Sequence, residues 1–116
     1  MTVNEAINRS KVLFPSDTSR EKARLFLSEL ESRISCELLG GGDVLIGEGD
    51  DERELSAKGA YSQIYPLYVA ARHELISGDA DRYAFINSVF EMAYSDYANY
   101  VNRTKKPSQS VYISCI

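Results

Sequence analysis

The sequence holds little that reacts and little that anchors. Its two cysteines, Cys36 and Cys115, stand far apart without a CxxC pair, and His73 is the single histidine, so neither a zinc site nor a disulfide framework is implied. No apolar run approaches the ~18 residues that span a bilayer, and the opening Met-Thr-Val-Asn-Glu lacks the basic-then-apolar order of a signal peptide. The expectation is a reduced, soluble, unprocessed chain with no membrane contact. Positive charge is also scarce. Thirteen basic against seventeen acidic side chains leave a net charge of −4, which gives no electrostatic footprint for nucleic acid.

Catalytic and cofactor patterns are missing in the same way. His73 sits between Arg72 and Glu74 with no serine or cysteine nucleophile placed to join it, and a lone histidine is more often a surface or satisfied core residue than a general base. The acidic run Asp50-Asp51-Glu52-Arg53-Glu54 lacks the alternating ligands and closing glutamate of a calcium loop, so a solvated charge run is the better reading. Gly40-Gly41-Gly42 and Gly47-Glu48-Gly49 lack the lysine and following Ser/Thr of a phosphate loop and read as flexibility. No enzyme and no cofactor are expected.

What is present is a globular composition, 44% hydrophobic and 26% charged over 116 residues. A chain of that size buries roughly two-thirds of its unfolded surface in one core. Thr2 with Glu5 forms a capping-box pattern, followed by Val3, Ala6 and Ile7 on one stripe until Phe14-Pro15. Thr18 with Glu21 repeats the box, and Ala23, Phe26, Leu27, Leu30, Ile34 and Leu38 then predict a helix from about Ser19 to Leu39. Glu29 and Arg33 make a solvated i, i+4 pair on its other face.

From Gly40 to Ala60 the composition shifts, with six of the seven glycines and six of the seventeen acidic residues in one stretch. So long a loop in a small domain is usually functional or disordered. Val44-Leu45-Ile46 leaves room for a short strand, with Glu54-Leu55 returning beside it.

Seven of the eight tyrosines lie between Tyr61 and Arg103. That stretch reads as two helices. The first begins near Ser62, carries Ile64, Leu67, Tyr68, Ala71 and Leu75, and closes at Gly78; Pro66 falls in its first turn if Ser62 is the N-cap and forces a kink if the helix starts earlier. The second carries Tyr83, Ile86, Phe90, Ala93, Tyr94, Tyr97 and Val101 on one face, with Phe85, Val89 and Met92 beside it. Its apolar width exceeds what one neighbour covers, so it is central to the bundle or meets another subunit. The tyrosine spacing supports core and interface equally. Arg82-Tyr83 has the composition of an interface hot spot.

Beyond Arg103, Pro107 ends the helix, and Val111, Ile113 and Cys115 alternate with Tyr112 and Ser114 in strand-like fashion. The expected fold is therefore all-α. It is a small bundle of about four helices, the last two an antiparallel hairpin, with a long Gly-rich acidic loop and an extended tail. Residues 1–107 form the single domain and 108–116 the tail.

The order Tyr61-Ser-Gln-Ile-Tyr65, Gly78-Asp-Ala-Asp-Arg82-Tyr83, Phe90, Ala93-Tyr94-Ser-Asp-Tyr97-Ala98 and Tyr100-Val-Asn102-Arg103-Thr104 resembles the C-terminal half of the head-tail connector, or adaptor, proteins of tailed phages and prophages. Thr2-Val-Asn-Glu5-Ala6-Ile7 and Leu27-Ser28-Glu29-Leu30-Glu-Ser-Arg33-Ile34 are similar to its N-terminal half. The resemblance covers most of the chain except residues 40 to 60. Pro66 and the tail from Ser108 to Ile116 depart from it.

The resemblance implies a non-enzymatic virion-assembly subunit that forms a homo-oligomeric ring between the portal protein and a tail or head-completion protein. It implies assembly in the host cytoplasm and residence at the virion neck, with DNA passing through without specific binding. A ring needs two different patches. The candidates are the acidic Asp50, Asp51, Glu52 and Glu54, the pair Arg82 and Tyr83, the basic Arg103, Lys105 and Lys106, and the tail residues Val111, Tyr112 and Ile113. Acidic side chains such as Asp50 and Asp51 facing the channel would repel the genome. Composition alone also permits a small phage-encoded regulator that caps a host enzyme through its acidic loop.

Overall fold

The computed structural model describes residues 1–15 and 17–104. The candidates Lys105 and Lys106, and the tail with Val111, Tyr112 and Ile113, lie outside the described residues.

Helix α1 (Val3–Leu13) opens on the expected capping box: the Thr2 hydroxyl accepts the Glu5 amide at 3.2 Å, and the Glu5 carboxylate accepts the Thr2 amide at 3.0 Å. It ends at Phe14, whose extended backbone suits a residue before proline.

Helix α2 (Arg20–Glu37) is capped by Ser19, whose hydroxyl accepts the Lys22 amide at 3.2 Å. The expected Thr18 box does not form. The Thr18 hydroxyl instead meets Nδ1 of His73 on α3 (Ile64–Ser77), and the residue next to the helix takes over the cap. The stripe from Ala23 to Leu38 is buried as its spacing predicts. Gly40, at φ +72°, then turns the chain so that the Gly41 amide reaches the Ser35 carbonyl at 2.8 Å.

The Glu29–Arg33 pair is corrected. Arg33 bridges to Glu37 at 3.0 Å and to Glu91 at 3.2 Å, with its guanidinium 4.0 Å from the Tyr94 ring centroid. Glu29 instead takes Arg72 at 3.5 Å and the Tyr68 hydroxyl at 3.1 Å. Arg33 turns to its i, i+4 neighbour on the C-terminal side, Glu37, together with Glu91 and the Tyr94 face of a neighbouring helix, while Glu29 is taken by α3.

Among the described residues no strand forms, so the short pairing of residues 44–46 with 54–55 for which the sequence leaves room does not occur. Glu54 instead makes an isolated antiparallel bridge with Thr2. The returning limb serves α1 directly: the Val3 amide donates to the Arg53 carbonyl at 3.0 Å and the Asn4 amide to the Asp51 carbonyl at 2.8 Å. These are first-turn amides that a helix cannot satisfy by itself. A 3₁₀ turn, Glu48–Asp50, lies between the two limbs.

Helix α3 starts at Ile64 after a 3₁₀ turn, Gly59–Gln63, which contains Ser62. The Ser62 hydroxyl donates to the Gly59 carbonyl at 2.7 Å and caps nothing on α3. Pro66 is the third helical residue, where its missing amide costs little. Gly78, at φ +88°, closes the helix with its amide on the Glu74 carbonyl.

Helix α4 (Ala80–Thr104) follows after Gly78 and Asp79, and its first turn is held by the Asp79 carboxylate accepting the Arg82 amide. The two form the expected hairpin, but the central helix is α3. It packs on α1, α2 and α4, and buries Ile64, Tyr65, Leu67, Val69, Ala70 and Ala71 nearly all round. Leu75, expected on its inner stripe, is exposed. Helix α4 buries Ile86, Phe90, Tyr94, Tyr97 and Val101 and leaves Phe85, Val89 and Met92 in solvent.

Candidate interaction surfaces

The tyrosines that the sequence divides between core and interface are mostly structural. Tyr65 is fully buried; its hydroxyl donates to Oε1 of Glu31 and accepts the Ala57 amide at 2.8 Å. Glu31, itself buried in α2, also accepts the Ser56 amide at 3.2 Å and the Ser56 hydroxyl at 3.0 Å. One carboxyl group thus ties α2, α3 and the loop together.

Tyr94 donates to Glu37 at 2.8 Å, and Tyr61 stacks on Tyr100 with centroids 4.7 Å apart. Burial first, and Glu31 beside it, push the Tyr65 phenol above its ordinary pKa. Burial and the bond to Glu37 do the same at Tyr94, and burial with Glu29 nearby pushes Tyr68 up to about 12. These phenols stay protonated at neutral pH and act as donors between helices.

The loop lies along α2, held by small polar side chains. The Ser32 hydroxyl accepts the Val44 amide at 2.8 Å and donates to the Val44 carbonyl at 3.1 Å; the Ser28 hydroxyl accepts the Ile46 amide at 2.9 Å. Ile46, Leu55 and Ala57 enter the core. The glycine-rich stretch therefore packs on the domain through these contacts.

That packing assigns the acidic candidates. Asp51 takes Arg24 at 2.9 Å and Arg20 at 3.3 Å, so much of the charge run is answered within the chain rather than left as a solvated run. The Arg24 hydrogen bond foremost holds the Asp51 carboxyl below the usual range against partial desolvation. Asp50 accepts the Gly47 amide at 2.8 Å. Glu54 pairs with the Met1 amino group at 3.1 Å and with Lys58 at 3.3 Å. Glu52 is exposed.

Of the other candidates, Arg82 reaches the buried Glu74 at 3.4 Å, and Tyr83 packs with Phe14 against Ala70, Ala71 and Ile86. Arg103 is exposed at the far end of α4, so the structure does not bring it together with Arg82 and Tyr83.

Hollows among the described residues include three of note. The first, about 280 Å³, gathers Thr18, Ser19, Lys22 and Phe26 of the α2 start with His73, Ile76 and Ser77 of α3. The second, about 340 Å³ and largely apolar, lies between Phe14 and the start of α4, with Asp81, Arg82, Phe85 and Ile86. The third, about 430 Å³, is bounded by Glu21, Arg24, Leu25, Ile46, Gly47 and Glu48.

Leu25, exposed on α2, escapes sequence reasoning, whereas the exposed Leu45 belongs to the apolar run already noted in the loop. The available signal for Leu25 is its place outside the stripe of Ala23, Phe26, Leu27 and Leu30. Among the described residues no group of three or more His, Cys, Asp and Glu is placed to hold a metal ion, and no helix is long and apolar enough to cross a membrane. No family model, curated protein or solved structure matches this chain.

Proposed function

We propose that this chain is a non-enzymatic head-tail connector subunit of a phage or prophage, which assembles as a ring between the portal protein and the tail or head-completion protein. The observation that carries the reading is the ordered resemblance from Tyr61 to Thr104. Those residues fold as one element, the α3–α4 hairpin with its preceding 3₁₀ turn.

Two further features support it. Exposed apolar side chains remain on separate elements, among them Leu25 on α2, Leu45 on the loop, and Phe85, Val89 and Met92 on α4. Head-to-tail association joins two different patches of this kind. Asp51 and Glu54 are taken up by intramolecular partners, which moves the proposed contact chemistry from these carboxylates to the exposed apolar side chains. The ring reads no DNA sequence.

The test is co-purification with the portal protein encoded nearby, followed by native mass spectrometry. A complex holding several copies of this chain per portal ring supports the reading. A stable one-to-one complex with a host protein and no portal association would replace it with the regulator reading. Strong, salt-sensitive binding of the assembled ring to duplex DNA would contradict passive passage of the genome.

A further inference from the structure

The C-terminal end of α1 and the hollow between α2 and the loop are opposite in charge and both partly apolar. Arg9, Val12 and Leu13 stand at i, i+3 and i+4 on one exposed face of α1, with Val12 80% and Leu13 48% exposed. Adjacent large apolar side chains left in solvent at a helix end mark a contact surface. Residues 8 to 15 around them carry two basic side chains, Arg9 and Lys11, and no acidic one. The loop is the reverse. Residues 43 to 52 carry five acidic side chains and no basic one.

The hollow of about 430 Å³ has an apolar side, Leu25 and Ile46, and an acidic rim, Glu21 and Glu48. Its Arg24 is already bound to Asp51 at 2.9 Å. The charge presented outward is therefore that of the two glutamates, which are exposed and make no ion pair among the described residues. Leu45, next in the chain to Ile46, adds a side chain 77% exposed.

We propose that the α1 end of one copy seats in this hollow on the next copy, with Val12 and Leu13 against Leu25 and Ile46 and with Arg9 across from Glu21 and Glu48. The pairing rests on the head-to-tail reading above and names the two patches that such a contact joins. Charge decides the geometry. Two basic α1 ends repel each other, as do two acidic hollows, so neither patch suits a two-fold contact with its own kind. The attractive match is between unlike patches, which propagates from copy to copy. Phe85, Val89 and Met92 on α4 are then left for the other partners of that reading.

The test uses the full chain, alone and with the portal protein, in a Cys36→Ser, Cys115→Ser background. Val12→Cys and Leu25→Cys on the same chain should give, on mild oxidation, a ladder of linked dimers, trimers and longer species, whereas either cysteine alone should give none. All these positions are exposed or half-buried, so the far-ultraviolet circular dichroism should stay unchanged. Absence of the ladder would overturn the proposal, as would dimers from Val12→Cys alone, because two α1 ends would then be meeting. Charge reversal is the second readout. Arg9→Glu and Glu48→Arg should each weaken association between copies about ten-fold or more, and the two together on one chain should restore it. Unchanged association in both single variants, or no recovery in the double variant, would contradict the pairing. Copies that gather on the portal without forming the ladder would remove the pairing and leave the ring; copies that never gather would remove both.

Discussion

The α3–α4 hairpin and the loop from residue 40 to 57 are held to the domain by different chemistry. In the hairpin, Phe90 lies 5.8 Å from the Tyr94 ring and 5.1 Å from the Tyr68 ring, and Ile86, Tyr97 and Val101 continue the contact as buried area. The loop contributes fewer buried apolar side chains, chiefly Ile46, Leu55 and Ala57, and is tied by Ser28, Glu31 and Ser32 of α2. Aromatic composition here marks scaffold rather than contact surface. Glycine and acid composition marks a segment whose backbone groups are satisfied one by one from a neighbouring helix.

Breaking the hairpin should give the largest effect. Phe90→Ala is expected to lower stability by about 3–5 kcal/mol, read as a lower urea midpoint, because it removes a fully buried ring and leaves a cavity. That is a large share of the ~5–15 kcal/mol that holds a domain together.

Glu31→Gln probes the loop clamp and should cost about 1–3 kcal/mol. The amide offers one acceptor oxygen where the carboxylate offers two, and it turns a donor toward Ser56 or Tyr65. Hydrogen exchange should rise more at Ser56 and Ala57 than at Phe90 in this variant. An equal rise throughout would remove the distinction between the two regions.

A smaller effect is expected from Asp51→Asn, and it depends on pH. The folded Asp51 carboxyl is held low by Arg24 first and Arg20 after it, so the folded state binds this proton less readily than the unfolded chain. Its stabilising contribution is complete above the unfolded carboxyl value of about 4 and is lost as pH falls through the lower folded value. The Asn variant should therefore show a shallower loss of stability below that pH. An identical acid limb in both proteins would contradict the assignment. Leu45→Ser, at a side chain 77% exposed, should change the midpoint least, by under about 0.5 kcal/mol.

Much of the helical frame was legible in the residues. The Thr2–Glu5 box, the α2 stripe, the stop at Gly40 and the left-handed cap at Gly78 all follow from local chemistry. The loop contacts were not, because Ser28, Ser32 and Glu31 read as polar and hence outward. Only the spacing of Glu31 with Leu27, Leu30 and Ile34 signals an inward position, and it does not say which amides wait there. The central place of α3 was hidden by the same local view. Small residues such as Ala70 and Ala71 add little to an apolar stripe, yet they permit close packing on more than one side. The surface candidates rested on charge and composition, so the intramolecular partners of Asp51 and Glu54 emerge only from the packed chain.

The contrast between the two regions is tested most directly by native-state hydrogen exchange at the Val44, Ile46, Ser56 and Ala57 amides, whose acceptors are the Ser32, Ser28, Glu31 and Tyr65 side chains. All four should exchange far more slowly than unstructured amides, with Ser56 losing that protection selectively when Glu31 is replaced and Ile46 when Ser28 is replaced. Exchange at unstructured rates in the unaltered chain, with Phe90 and Tyr94 still protected, would contradict the account.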